Sequence, residues 1–172
     1  MIRRPTLIVP AVVAILAAAI AAAPFGPRNP KLPDELISVA AIDRVSLRIN
    51  AMPEEIPLHD AQDGALREMV TEQLAAAGIE VAKKTITPHL VINCALVSNA
   101  EITDAKTVIV MIDVHQEASL SRLKRTLIVP TLTVMSEEVT APDDLLRTVM
   151  QETRNATRVL IETIGEASKA MR

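Results

Sequence analysis

The chain has 172 residues and 49% hydrophobic residues, yet Phe25 is its only Phe, Tyr or Trp, so its core must be aliphatic. It carries 21 acidic against 18 basic residues, a formal net charge of −3. Because nucleic acids bind to basic surfaces and stacking aromatic rings, we predict no nucleic-acid partner. Cys94 is the only cysteine, which excludes an intrachain disulfide and a cysteine-rich zinc site.

Residues 1–23 have the three parts of an export signal. Arg3 and Arg4 precede the apolar run Leu7–Ile20, and small residues follow it. The run contains Pro10 and is shorter than the roughly 20 residues that span a bilayer, which favours a cleaved signal peptide. The alternative is an uncleaved membrane anchor. We therefore expect a periplasmic or secreted protein, tethered to the membrane if its N-terminal helix is retained.

The next segment is rich in proline, with four in Pro24–Asp34. Such a segment cannot form a regular helix or a central strand, and it predicts an extended spacer. We therefore divide the chain into a signal or anchor at 1–23, a proline-rich spacer at 24–37 and one α+β domain at 38–172.

The domain is organised around Thr107–Glu117, a strand of alternating pattern. One side of it is uniformly apolar and should face the core: Val108, Val110, Ile112 and Val114. The other side begins apolar and ends polar: Ile109, Met111, Asp113, His115 and Glu117. Burial of the four core-facing side chains is worth about 6–12 kcal/mol, which fixes the choice of face.

Apolar residues at helical spacing predict two helices. The first covers Ala61–Ala77 and ends at Gly78, where a left-handed C-cap is expected. The second begins after a capping box at Thr140, has Pro142 in its first turn and runs to Met171, with Glu152 on its solvent side.

Further strands are predicted beside the central one. They cover Val45–Ile49, a short stretch from Ile79, Leu90–Val97 and Leu127–Val139, and Pro130 in the last indicates a bulge or an edge. We predict an α+β fold: a two-layer sandwich with a mixed, mainly antiparallel sheet of about four to five strands. Two helices lie on one face, and the N-terminal signal or anchor helix is additional.

The second sheet face is left uncovered in this arrangement, and its mixture of apolar and polar residues suits a reversible interface. The residues assigned to it are Val91, Asn93, Ile109, Met111, Asp113 and His115. We predict a non-catalytic module of the cell envelope that binds or assembles with an envelope protein or a second copy of itself.

The alternative is a small metal-dependent enzyme. Asp113, His115 and Glu117 would project from one strand face and offer oxygen and nitrogen ligands to Zn²⁺ or Mn²⁺, with His59-Asp60 and His89 as additional ligands. The competing interpretation is simply a solvated strand end. The chain has no G-x-S-x-G elbow and no phosphate-binding glycine loop, Cys94 lies in an apolar strand, and we predict no cofactor.

The order of elements resembles that of small bacterial envelope lipoproteins of the lipopolysaccharide-assembly and transport-auxiliary type. An export signal is followed by a strand (Val45–Ile49), a helix ending in Ala77-Gly78-Ile79, an apolar strand after Pro-His (Leu90–Leu96), a long hairpin and a closing helix after Pro-Asp-Asp. The resemblance covers Val45–Ala170 and implies a sheet with two helices and a role in the envelope. The lipidated cysteine of those proteins is absent here.

Overall fold

The structure is a computed structural model that describes residues 33–56, 60–99 and 102–171. The predicted signal, most of the predicted spacer and His59 lie outside these ranges. The elements in chain order are α1 (Asp34–Val39), β1 (Arg44–Ile49), α2 (Asp60–Ala76), β2 (Glu80–Ala82), β3 (His89–Asn99), β4 (Ile102–Leu120), β5 (Arg125–Thr140), a short 3-10 helix (Pro142–Asp144) and α3 (Leu145–Ala170).

The five strands form one sheet in the order β2-β1-β3-β4-β5. β1 is parallel to both β2 and β3, whereas β3, β4 and β5 pair antiparallel. Short connections suffice for the antiparallel part, while the parallel part needs α2 as its crossover. The predicted mixed, mainly antiparallel sheet of an α+β fold is confirmed.

The core lies between one face of this sheet and helices α2 and α3. Val108, Val110, Ile112 and Val114 are all buried there, on the side that the alternation predicted. They belong to one apolar cluster with residues of α2 and α3: Val70, Leu74, Val149, Ala156, Leu160 and Ile164. The predicted two-layer arrangement is therefore confirmed.

Helix α1 is an element that the sequence pattern did not predict. It begins at Asp34, within the stretch that we assigned to the spacer, and Val39 is fully buried in the core cluster. The backbone N–H of Ala41 then donates to the Ser168 hydroxyl of α3 at 3.0 Å. Six residues are too few to show helical periodicity, and packing on the rest of the domain supplies what propensity does not.

The solvent side predicted for Glu152 is wrong, because this residue of α3 is buried. Its carboxylate accepts hydrogen bonds from the Ser136 hydroxyl of β5 and from Asn155 Nδ2, the latter at 2.9 Å. Ser136 stands opposite Val110 on the core side of the sheet, so a polar pair occupies one core position. Helical spacing alone did not reveal this pair because its partner lies on another element.

The long β4–β5 hairpin contains a bulge, and it extends beyond the sheet. The pairing shifts between Val114, opposite Leu132, and His115, opposite Pro130, which confirms the predicted irregularity at this proline. His115 also pairs with His89, the first residue of β3. Gln116–Leu120 and Arg125–Val129 therefore pair only with each other, and we call these two segments and their turn the arm.

Tight turns end α2 and the arm. Gly78, two residues after the last residue of α2, has φ +81, which confirms the predicted left-handed position. Lys124 in the turn of the arm has φ 48.

Among the described residues, no helix is both long and apolar enough to cross a bilayer.

Candidate functional site

The candidate site is the sheet face opposite α2 and α3, which we call the open face. It exists because alternate residues of β3, β4 and β5 point away from the helices. The three described helices contribute to the core on the other side. At the β1 margin, the loop before β3 crosses over Ser46, whose hydroxyl donates to the Ile86 carbonyl at 2.8 Å.

A chain of hydrogen bonds, which we call the polar row, crosses the open face. Asn50 Nδ2 donates to Asn93 Oδ1 at 2.6 Å, and Asn93 Nδ2 donates to Asp113 Oδ2 at 2.9 Å. The Thr133 hydroxyl donates to Asp113 Oδ1 at 2.6 Å. Each carboxylate oxygen of Asp113 thus accepts a hydrogen bond from a neighbouring strand. The row fixes two predicted site residues, Asn93 and Asp113, in one orientation.

A pair of histidines lies next to the polar row on the open face, where His115 follows Asp113 along β4 and pairs with His89 of β3. The rings of His89 and His115 stack with their centroids 4.9 Å apart and an interplanar angle of 27°. Burial, His115 and Arg48 together hold the pKa of His89 below its usual value, because each disfavours the imidazolium. The Nδ1 atom of His89 is buried and has no hydrogen-bond partner among the described residues.

The three residues predicted as metal ligands, Asp113, His115 and Glu117, are engaged or placed in different ways. Asp113 already accepts two hydrogen bonds, His115 stacks on His89, and Glu117 lies in the exposed arm. Within the described ranges no three His, Cys, Asp or Glu side chains are grouped closely enough to hold a metal ion. The metal-dependent alternative therefore gains no geometric support.

The other end of the open face is apolar, and we call it the apolar patch. Its members lie on three adjacent strands: Ala95, Val97, Ile109, Met111, Met135 and Val139. Val97 is 50% exposed, Met135 57% and Val139 63%, while Ile109 and Met111 are half-buried between them. Two of the six, Ile109 and Met111, were predicted as interface residues.

Sequence reasoning missed Met135 and Val139 because they belong to this face only through the register of the hairpin, whereas Val97 follows from the same alternation as Val91 and Asn93 and could have been assigned from it. Met135 pairs with Met111 and Val139 with Thr107, and neither pairing is encoded in local periodicity. Val91 differs from the other predicted interface residues. It is only 7% exposed, so it contributes packing to this face and little contact surface.

One charge stands within the apolar patch. Glu137 pairs with Ile109, next to Met135 and Val139 along the face, and its side chain is exposed. It forms no ion pair with any residue that the structure describes. An occupant of the patch would therefore meet an uncompensated carboxylate on β5, the edge strand of the sheet.

Cys94 lies on the helix side of β3 and packs against the core cluster. Burial raises the pKa of its thiol to about 11, so the thiolate needed for nucleophilic chemistry is scarce at neutral pH. This geometry agrees with a structural role for Cys94.

Comparisons with known proteins find only distant structural similarity. No protein-family model matches the chain, and no curated protein matches it. Similar solved structures include a minor lipoprotein from Acinetobacter baumannii (TM-score 0.43, 11% identity, 76% of this chain and 95% of that chain). The PelC dodecamer from Paraburkholderia phytofirmans gives TM-score 0.39 and 12% identity over 70% of this chain and 88% of that chain. Rare lipoprotein B from Shewanella oneidensis gives TM-score 0.37 and 10% identity over 74% of this chain and 98% of that chain. Similarity at this level transfers no function.

Proposed function

We propose that the protein is a non-catalytic partner-binding or assembly module of the bacterial cell envelope and that it binds through the apolar patch. The observation that carries this proposal is the exposure of Val97, Met135 and Val139 on one continuous sheet surface. Contiguous exposed apolar side chains are unusual on a soluble domain and mark interaction surfaces. Export to the envelope rests on the predicted signal at residues 1–23.

The composition of the patch suits reversible protein binding. Met111 and Met135 stand opposite each other beside the polar row, and methionine side chains adapt to differently shaped partners. The adjoining polar row forms a hydrated margin, as the rim of a protein interface does. Because strands hold these side chains, little backbone ordering is required on binding.

The partner that this surface fits is a protein with an apolar contact area and a lysine or arginine at the margin of that area. That cation would lie over Glu137, which has no ion-pair partner in the described part of the chain. An apolar partner without a cation would desolvate this carboxylate without compensation, at a cost. Charge at this position therefore selects between partners.

Two substitutions test the surface in the full-length chain. Met111→Asp places a charge in the patch, and Glu137→Lys reverses the existing charge. The matched control is Val159→Asp, because Val159 is also an exposed apolar residue but lies on α3. A photo-crosslinker at Val97 in living cells, followed by mass spectrometry of the adducts, identifies the partner as another protein or a second copy.

We expect both patch variants to abolish the crosslinked adduct while the Val159→Asp protein retains it. Undiminished adduct in the Met111→Asp protein would show that the patch is not the interface. Loss of the adduct in Met111→Asp alone would support the patch and refute the role of Glu137.

Export is tested separately by fractionation of cells that express an epitope-tagged copy. The protein should appear in the periplasmic or membrane fraction. Recovery of the full-length chain in the cytosol would contradict the envelope role and leave the geometry of the patch unaffected.

A further inference from the structure

A second concave surface lies at the opposite margin of the sheet, beside β1. β2 pairs only with Arg44–Ser46, so the rest of β1, Leu47–Ile49, has no neighbouring strand on that side. Helix α2 and the loop after β2 border the gap, which forms a groove of about 760 Å³. This volume is in the range of small-molecule sites. We call it the edge groove.

The edge groove is lined by cations. Arg48 of β1, Arg67 of α2, and Lys83 and Lys84 of the loop all contribute to its wall, and no Asp or Glu whose side chain the structure describes does. None of the four forms an ion pair with a carboxylate in the part of the chain that the structure describes. In a chain of net charge −3, this concentration of unpaired positive charge marks a local site for anions.

One of these cations is held in place by the fold. Arg67 Nη1 donates to the Leu47 carbonyl at 3.0 Å and so satisfies the strand edge that β2 leaves uncovered. A guanidinium has five N–H donors, so its remaining donors are available to a ligand. Anchored guanidinium groups lose little freedom when they bind an oxyanion, and their planar fork matches phosphate and carboxylate oxygens.

Apolar and polar side chains share the rest of the groove wall. Leu47, Ile49, Val81 and Ala82 line it beside the cations, together with the polar residues Ser46, Thr71, Thr85 and His89. A ligand that fills it would therefore combine an anionic group with a small apolar body. Four cations without counter-charges favour more than one negative charge, which a phosphate monoester or a diphosphate carries.

We infer that the edge groove binds the phosphate group of a small anionic molecule or of a lipid headgroup, with Arg67, Lys83 and Lys84 as the ligating residues. This site is separate from the apolar patch, and neither requires the other. It adds a small-molecule or lipid ligand to a protein that we propose to bind protein partners.

The test is calorimetric titration of the full-length chain, purified in neutral detergent, with pyrophosphate. The groove variant is Lys83→Gln/Lys84→Gln, since neither lysine supports the fold by a hydrogen bond or ion pair that the structure describes. The matched control, Arg122→Gln/Lys124→Gln, removes the same charge from the exposed turn of the arm. We expect pyrophosphate to bind the groove variant at least about tenfold more weakly than the unmodified protein, and the control to stay within about twofold.

A second titration identifies the source of the phosphate. It repeats the pyrophosphate measurement with detergent micelles that contain phosphatidic acid, and with phosphatidylcholine as the neutral comparison. Competition by phosphatidic acid alone assigns the groove to a lipid headgroup, and no competition assigns it to a soluble phosphate compound. The inference is overturned if neither pyrophosphate nor phosphatidic acid binds, or if the control variant loses as much affinity as the groove variant.

Discussion

Val110 and Met111 are neighbours on β4, yet they belong to surfaces of opposite character. Val110 lies in a row of fully buried branched side chains that helices cover. Met111 lies on the open face, where apolar residues, a polar row and a histidine pair follow one another along the strands. The comparison shows that one side of a single strand specifies the fold while the other remains free for binding.

The sharpest way to break this comparison is to place the same charge on each side. Val110→Asp buries an unpaired carboxylate and should cost more than about 4 kcal/mol, a large part of the roughly 5–15 kcal/mol that stabilises a native domain. Met111→Asp should cost less than about 1 kcal/mol, because its side chain is already in contact with solvent. Thermal denaturation followed by circular dichroism compares the two.

Equal destabilisation by the two aspartates would show that the open face is covered in the native protein. A third layer, formed by something other than the described residues, would then cover the sheet, and the two-layer architecture would be incomplete.

The second largest effect concerns α3, which has its own buried and exposed sides. Leu160→Ala should lower the free energy of unfolding by about 2–5 kcal/mol, because Leu160 is fully buried and leaves a cavity. Its neighbour Val159 is 40% exposed, and Val159→Ala should stay within about 0.5 kcal/mol. Urea unfolding measures both, and similar values would show that α3 does not pack as described.

A smaller effect is expected for the polar row on the open face. Asp113→Ala removes the acceptor for Asn93 Nδ2 and for the Thr133 hydroxyl, and should cost about 1 kcal/mol because water reaches these groups. Asp104→Ala, at an exposed position of the same strand, is the control and should be neutral. Urea midpoints decide this, and an unchanged midpoint for Asp113→Ala would mean that the row orients side chains without stabilising them.

The smallest effect concerns the histidine pair. Because the pKa of His89 is lowered in the folded state, the unfolded chain binds the proton more readily. Stability is therefore complete above the unfolded pKa of 6.5 and declines as the pH falls through it toward the folded value.

Unfolding midpoints measured between pH 7.5 and 5 should show this decline, and His89→Gln should flatten it. An identical pH dependence in the His89→Gln protein would assign the effect to other groups.

Local patterns predicted the elements whose signals are complete within a few residues. The core side of β4, the left-handed Gly78 and the irregularity at Pro130 all follow from side-chain alternation or from the restrictions on single residues. Register and long-range contact determined the rest. The polar row joins residues up to 43 positions apart, and the edge groove exists only because β2 is three residues long.

The arm also has a consequence for how the sheet opens. Its ten strand residues pair only with each other, and a two-stranded ribbon alone is marginally stable in water. The arm can therefore fray and close again while the five-stranded part stays intact. Backbone amides of Ala118 and Leu127 should exchange with deuterium through such local openings, orders of magnitude faster than the amide of Ile112, which requires global unfolding. The β4–β5 hairpin thus belongs to two cooperative units, divided where β3 begins.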